Sequence, residues 1–177
     1  MDCLQAIKAR IPDYAKDIRL NLDGTLARSS LQGSDATGVA LAAAFAARCK
    51  VIADAIRGAG VLSPEEVNGA LTAAALMGMN NVWYPYVEMA DDADLAQQPA
   101  ELRMNAYASS GGVDKRRFEM YALAASIVGK CQFCVKSHYA QLKRHQDMTT
   151  QQLRDVGRIA AVIHAAALVI AAESESA

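Results

Sequence analysis

Alanine-rich stretches closed by glycine constrain the fold of this chain more than any other feature. Of the 177 residues, 53% are hydrophobic but only 6% are aromatic, and alanine dominates visibly. Small side chains let helices pack closely, and no segment has the alternating pattern of a β-strand. The sequence therefore predicts an all-α fold with small residues where helices cross. At this length we expect one domain, residues 1–177.

Capping residues and helix breakers divide the chain into segments. Ser63, Pro64 and Glu66 have the pattern of a capping box with proline in the first turn, and Thr149 with Gln152 forms a second box. The predicted helices span residues 2–11, 12–22, 35–57, 64–77, 80–89, 114–128, the segment after 130, and 149–172. Breaks are predicted at 23–24 and 32–34, and a long connector over 90–112 with one helical turn near 102–106.

A weak internal repeat relates residues 68–89 to residues 119–140, at an offset of 51 positions. Both segments predict a helix, a break at Gly78 or Gly129, and a second helix. The first copy has asparagine, tryptophan and valine where the second has cysteines and histidine, so we interpret it as a structural copy without thiol chemistry. The alternative is chance resemblance, since glycine closes many helices.

A Cys-x-x-Cys motif followed by a histidine carries the candidate chemistry. In a helix, Cys131, Cys134 and His138 would lie at i, i+3 and i+7 on one face. A base beside a thiol favours the thiolate, which is the nucleophile, and a second thiol can resolve the product. Cys134 is therefore the predicted nucleophile. Cys131 is expected to be more exposed, to resolve the product and to exchange with a reductant.

Glu119 is the candidate for orienting His138. It lies in the helix before Gly129, among apolar neighbours, so it either faces solvent or is buried for a purpose. Both possibilities are open from the spacing alone. Folding the two helices about Gly129 would bring this carboxylate to the face that carries the cysteines.

Two other interpretations of the motif are open. Its three side chains and Glu119 offer four zinc ligands, although structural zinc sites usually combine two ligand pairs and no second pair is present. The cysteines would otherwise be buried and unreactive. Cys3 and Cys49 are isolated and are predicted to be ordinary thiols, and His164 a satisfied core or interface histidine.

Charge and hydropathy limit the classes of partner. The net charge of −1 gives no support for binding nucleic acid or an anionic membrane. The longest apolar stretch, residues 159–172, predicts a buried core or subunit-interface helix and is too short for a membrane span. Residues 1–25 lack the apolar run of an export signal, so we expect a cytoplasmic protein. There, paired cysteines indicate redox or metal chemistry.

These residues together resemble a known family. Glu119, eleven residues, Cys131, two residues, Cys134, three residues and His138 are similar to the active-site signature of the AhpD-type alkylhydroperoxidases. That family belongs to the carboxymuconolactone decarboxylase-like superfamily. Residues 12–21, 75–82 and 102–105 also resemble it, so the similarity covers nearly the whole chain.

The resemblance implies an all-helical, duplicated fold assembled as a homotrimer, and an antioxidant thiol peroxidase without a tightly bound cofactor. It implies that Cys134 attacks the peroxide, that Cys131 closes the disulfide, and that His138 and Glu119 relay the proton. An external dithiol, a lipoyl group of a dihydrolipoamide acyltransferase, would reduce the disulfide. The protein would in turn reduce a peroxiredoxin, the catalytic subunit of alkyl hydroperoxide reductase. The alternative is an electron-transfer adaptor between these two partners.

Phe133 departs from the pattern of this family, whose members often have histidine directly before the second cysteine. An auxiliary proton donor is therefore missing. We expect the chemistry of His138 and Glu119 to survive, with a different rate, pH profile or choice of partner.

Overall fold

The computed structural model describes residues 2–174, with side chains for residues 5–173, so the side chain of Cys3 lies outside the described residues. This part of the chain contains ten α-helices, two short 3₁₀ turns at Asp13–Ala15 and Ser110–Gly112, and no strand. The predicted all-α class is confirmed. The helices are α1 (Asp2–Lys8), α2 (Lys16–Ala27), α3 (Gly33–Ala46), α4 (Lys50–Gly58), α5 (Pro64–Ala90), α6 (Ala93–Gln97), α7 (Asn105–Ala108), α8 (Lys115–Val128), α9 (Gln132–His145) and α10 (Thr150–Ser174).

The predicted breaks between helices were wrong in three places. Helix α2 continues through Asp23 and Gly24, and the segment predicted as one helix over 35–57 is two helices, separated where Arg48 takes a left-handed φ of 57°. Helix α5 runs without interruption through Gly78 and Pro85. A glycine costs a helix only about 1 kcal/mol relative to alanine. The packing of α5 against α3 and α8 outweighs that cost.

The continuous α5 bears on the predicted repeat. Gly129 ends α8 as predicted, whereas Gly78 lies inside a helix, so the break expected in the first copy was wrong. Residues 68–89 are therefore one helix, and residues 119–140 are parts of two. The internal duplication and the single-domain assignment stay predictions.

Small residues fill the crossings at the centre of the fold. Helix α3 packs against α5, α8 and α10, and ten of its residues in succession, Asp35–Ala44, are buried. Gly38 lies directly under Tyr121 of α8, where an added Cβ would be 2.4 Å from a ring carbon. The close approach of α3 and α8 at this crossing therefore depends on a glycine.

Both predicted capping boxes are confirmed. The Ser63 hydroxyl accepts from the Glu66 amide at 3.2 Å, and the Glu66 carboxylate accepts from the Ser63 amide at 2.8 Å. Thr149 and Gln152 make the same pair of hydrogen bonds, at 3.2 Å and 2.9 Å. These caps satisfy backbone donors that the first turns of α5 and α10 leave unpaired.

Helix α10 is longer than the apolar stretch from which it was predicted. Thr150–Glu173 is the one segment in the described residues that is long and apolar enough to cross a bilayer, a test that the core helix of a soluble protein also passes. The helix packs against α2, α3 and α8, as predicted for a core helix. His164 is half-buried on α10, and its Nδ1 lacks a hydrogen-bond partner among the described residues. Within the described part of the chain, the core therefore leaves Nδ1 of His164 without a partner, and the interface histidine stays a prediction.

Candidate active site

A sharp corner between α8 and α9 creates the site. Gly129 caps α8, and Lys130 takes a left-handed φ of 57° before α9 begins. Asn81 of α5 closes this corner by donating from its amide nitrogen to the carbonyl of Ala125 at 3.1 Å. A Cβ on Gly129 would lie 2.1 Å from that nitrogen, so only glycine fits. Helix α9 then folds back along α8, which brings residues on either side of the corner together.

The two cysteines lie at the start of α9. Cys131 is the N-cap residue, and its sulfur accepts from the backbone amide of Cys134 at 3.2 Å. The two residues are joined by a disulfide, with their Cα atoms 5.3 Å apart. The helix N-terminus favours negative charge on sulfur, because its amide groups point outward.

The expected greater exposure of Cys131 was wrong. Its exposed fraction is 0%, against 3% for Cys134. The cap geometry turns the Cys131 sulfur under α5, where it lies 3.9 Å from the carbonyl oxygen of Asn80. Spacing along one helix does not reveal that a neighbouring helix covers its first turn.

The structure places Glu119 against His138. Oε2 of Glu119 lies 2.6 Å from Nδ1 of His138, and both side chains are buried. Of the two possibilities that the sequence left open for Glu119, the buried one holds. On its other side, Nε2 of His138 lies 3.1 Å from the sulfur of Met77, a residue that sequence reasoning did not connect with the motif.

Two further residues hold the Glu119 carboxylate, and sequence reasoning missed both. The Tyr107 hydroxyl donates to Oε1, and Nζ of Lys115 lies 3.0 Å from the same oxygen. Lys115 also lies over the Tyr107 ring, 3.7 Å from its centroid. Lys115 precedes Glu119 by one helical turn, a spacing that could have identified it. Tyr107 belongs to the predicted connector, and no pattern in the sequence relates it to the motif.

These hydrogen bonds keep the carboxylate charged. Burial alone raises the pKa of Glu119, but the hydrogen bonds from His138 and Tyr107 outweigh burial and lower that pKa to about 2. Burial, and then the bond to Glu119, raise the pKa of the Tyr107 hydroxyl. An ionised carboxylate only accepts hydrogen bonds, so Nδ1 of His138 must carry a proton. In the neutral ring Nε2 is then free to accept one.

The candidate nucleophile and the candidate base face a common cavity. It measures about 270 Å³ and includes both Cys134 and His138 in its lining. The other lining residues are Asn80, Tyr84, Met104, Tyr107, Phe133 and Ser137. Cys131 is not among them. Among the described residues, no group of three or more histidine, cysteine or acidic side chains is arranged around a common metal position.

A cysteine pair at a helix start, backed by a carboxylate–histidine pair in an all-helical frame, defines a class of helical dithiol proteins. The carboxymuconolactone decarboxylase family model matches residues 93–174, which include α8, α9 and the motif.

Relatives extend this similarity over the whole chain. A protein of Rhodospirillum centenum named alkyl hydroperoxide reductase AhpD is 45% identical, over 97% of this chain and 92% of its own length. Proteins with the same name from Maricaulis maris and Rhizorhabdus wittichii are 40% and 42% identical, over 97% and 90% of this chain and 99% and 92% of their own. The chain therefore belongs to the AhpD-type family within the carboxymuconolactone decarboxylase superfamily, as the sequence predicted. This membership agrees with the predicted enzyme class, an oxidoreductase.

Proposed function

We propose that the protein is an antioxidant dithiol peroxidase that reduces organic hydroperoxides through a Cys131–Cys134 thiol/disulfide cycle. One observation carries the proposal. Cys134 and His138 line the same cavity, and the buried, ionised Glu119 lies directly behind His138. Relatives over nearly the full chain are named alkyl hydroperoxide reductases.

The first step is activation of Cys134 in the reduced protein. Nε2 of His138 takes the thiol proton, and Glu119 stabilises the resulting imidazolium through the 2.6 Å contact with Nδ1. Met77 does not block Nε2 as a base, because a thioether sulfur has no hydrogen to donate to it. The thiolate is further stabilised by the first turn of α9.

Peroxide reduction then proceeds in two balanced steps. The Cys134 thiolate attacks the distal peroxide oxygen, the O–O bond breaks, and the leaving alkoxide takes the proton from His138 to become an alcohol. Cys134 is now a sulfenic acid. The Cys131 thiol attacks that sulfur, the S–S bond forms, and the sulfenic oxygen leaves with two protons as water. Two thiols and one hydroperoxide thus give one disulfide, one alcohol and one water.

Burial of the disulfide limits the reductant. Both cysteines are buried, with exposed fractions of 0% and 3%, so any reductant or partner thiol must reach Cys134 through the cavity. A slim dithiol can enter the cavity and attack Cys134, which lines it. Exchange therefore occurs at Cys134, where the sequence had suggested Cys131. This geometry favours the lipoyl group of a dihydrolipoamide acyltransferase as electron donor.

The protein acts as a homotrimer in the cytoplasm. Met79, Val82, Tyr86 and Met89 form an exposed apolar stripe along one face of α5, with Val82 70% and Met89 78% exposed. Such a stripe suits burial against other copies of the chain, which supports the homotrimer. A cycle that starts from two thiols requires a reducing compartment, which supports the cytoplasm. A peroxiredoxin is the proposed downstream partner.

Turnover of an organic hydroperoxide with dihydrolipoamide as sole reductant tests this function. The intact protein should sustain turnover, and Cys134→Ser should abolish it. If the mutant keeps its activity, the assignment of the nucleophile is wrong. If the wild type is inactive alone but active with an added peroxiredoxin, the protein is an adaptor. Stoichiometric zinc in protein purified without chelator would instead indicate a metal-holding module.

A further inference from the structure

Two cavities meet at a pair of stacked aromatic rings. Tyr84 of α5 and Phe133 of α9 have ring centroids 4.2 Å apart and an interplanar angle of 19°. They line the reaction cavity of about 270 Å³, and they also line a neighbouring groove of about 750 Å³. Among the described residues, these two are the only ones that the two linings share. We call this pair the aromatic partition.

The groove beyond the partition has apolar walls and an acidic rim. Trp83, Val87, Leu95 and Pro99 contribute apolar surface from the second half of α5, from α6 and from the segment after it. Three exposed carboxylates and one exposed amine complete the lining, namely those of Glu88, Asp91, Asp92 and Lys136. Their net charge is −2, from three negative groups and one positive. The groove therefore suits an uncharged apolar group and disfavours an anionic one.

The reaction cavity and the groove have volumes that suit different parts of one substrate. Small-molecule sites usually measure about 300–1,000 Å³. The reaction cavity, at about 270 Å³, holds a peroxide group and a few carbons but no long chain. The groove has the size of a complete ligand site and is reached past Phe133, whose side chain is 52% exposed.

We propose that the aromatic partition determines substrate specificity and that the substrates are neutral hydroperoxides with a long apolar chain. The peroxide group reaches Cys134 in the reaction cavity, and the chain crosses Phe133 and lies in the groove. Phe133, which lacks the proton donor of a histidine, supplies apolar surface at that crossing. The inference rests on the proposed peroxidase function and adds the class of substrate.

Single-turnover oxidation of the reduced protein separates this inference from the identity of the reductant. Loss of free thiols is followed with tert-butyl hydroperoxide, with 1-decyl hydroperoxide, and with a hydroperoxide of equal length that ends in a carboxylate. Burial of one methylene changes a binding constant by about four-fold. Even partial burial of a decyl chain therefore gives a large total gain in affinity. We expect decyl hydroperoxide to react at least about ten-fold faster than tert-butyl hydroperoxide, and the anionic compound to lose most of that advantage.

Two variants locate the preference. Phe133→Ala removes apolar surface at the aromatic partition, and Val87→Asp places a charge in the groove. Each should lower the ratio of the oxidation rates with decyl and tert-butyl hydroperoxide several-fold. Leu20→Asp, an equivalent change at a 60% exposed position on α2, should leave the ratio unchanged. A second readout does not depend on activity. Trp83 is the one tryptophan of the chain and lines the groove, so 1-decanol should change its fluorescence saturably, and less so in Val87→Asp.

The outcomes are distinguishable. Thiol oxidation without a chain-length preference, or a preference that both variants retain, would overturn the specificity inference and leave the peroxidase in place. A fluorescence of Trp83 that does not respond to decanol would overturn it as well. Failure of every hydroperoxide to oxidise the thiols would overturn the proposed function, and this inference with it.

Discussion

Replacing Glu119 by glutamine should inactivate Cys134 by changing the tautomer of His138. The Tyr107 hydroxyl and Nζ of Lys115 both approach Oε1 of Glu119, and Lys115 only donates hydrogen bonds. A glutamine would keep its carbonyl oxygen beside these donors and turn its NH₂ group toward Nδ1. Nδ1 would then have to accept, which moves the ring proton to Nε2. The nitrogen that is proposed to take the Cys134 proton would then already carry one.

The size of the effect follows from the lost charge and the lost base. Opposite charges about 4 Å apart attract by about 4 kcal/mol at an effective dielectric constant near 20. Loss of that stabilisation of the imidazolium corresponds to roughly 10³-fold in rate. General-base contributions of about 10²–10⁴-fold bracket this value. We therefore expect the peroxide oxidation rate of Glu119→Gln to fall by about 10³-fold.

Alkylation of Cys134 by iodoacetamide measures the thiolate directly, in a Cys131→Ser background that prevents the disulfide. Glu119→Gln in this background should need a higher pH for half-maximal alkylation than Cys131→Ser alone. Glu173→Gln, a change of the same type at an exposed position near the end of α10, serves as the matched control. A Glu119→Gln protein that keeps its rate within about three-fold and its alkylation profile would refute the tautomer argument.

Three further predictions concern stability. Gly38→Ala should lower the free energy of unfolding by about 1–3 kcal/mol, because the new Cβ would lie 2.4 Å from the Tyr121 ring. The matched change Gly78→Ala should raise it by about 0.5–1 kcal/mol, since no atom of the described residues lies within 4 Å of its Cβ and a helical alanine is favoured. Chemical denaturation measures both free energies. Equal effects of the two changes would contradict the role of Gly38 where α3 and α8 cross. For Asp155, burial alone raises the pKa, but hydrogen bonds from Ser30 and two arginines lower it to about 2. The ionised Asp155 therefore stabilises the fold fully above pH 3.8, its ordinary pKa, and this stabilisation is lost as pH falls toward 2. The difference in unfolding free energy between wild type and Asp155→Asn should shrink in that window. A difference that does not change with pH would contradict the role of the charge.

Local signals predicted the parts of the site that lie within one helical hairpin. Cys134 and His138 are one turn apart in α9, and Glu119 was identified as the odd carboxylate in an apolar helix before Gly129. Tyr107 and Met77 were not identified, because they reach the site from the connector and from α5. The burial of Cys131 was missed for the same reason, since α5 covers it.

Local sequence patterns were enough to predict the helical class, the capping boxes at Ser63 and Thr149, and the spacing of the thiol motif. All of these depend on interactions between residues no more than a few turns apart, so their physical causes are local. Tertiary structure alone decided that α5 continues through Gly78, that Glu119 is buried and charged, and that Tyr84 and Phe133 separate two cavities. Each of these results depends on which distant helix supplies packing or hydrogen bonds, and that free energy belongs to the assembled fold.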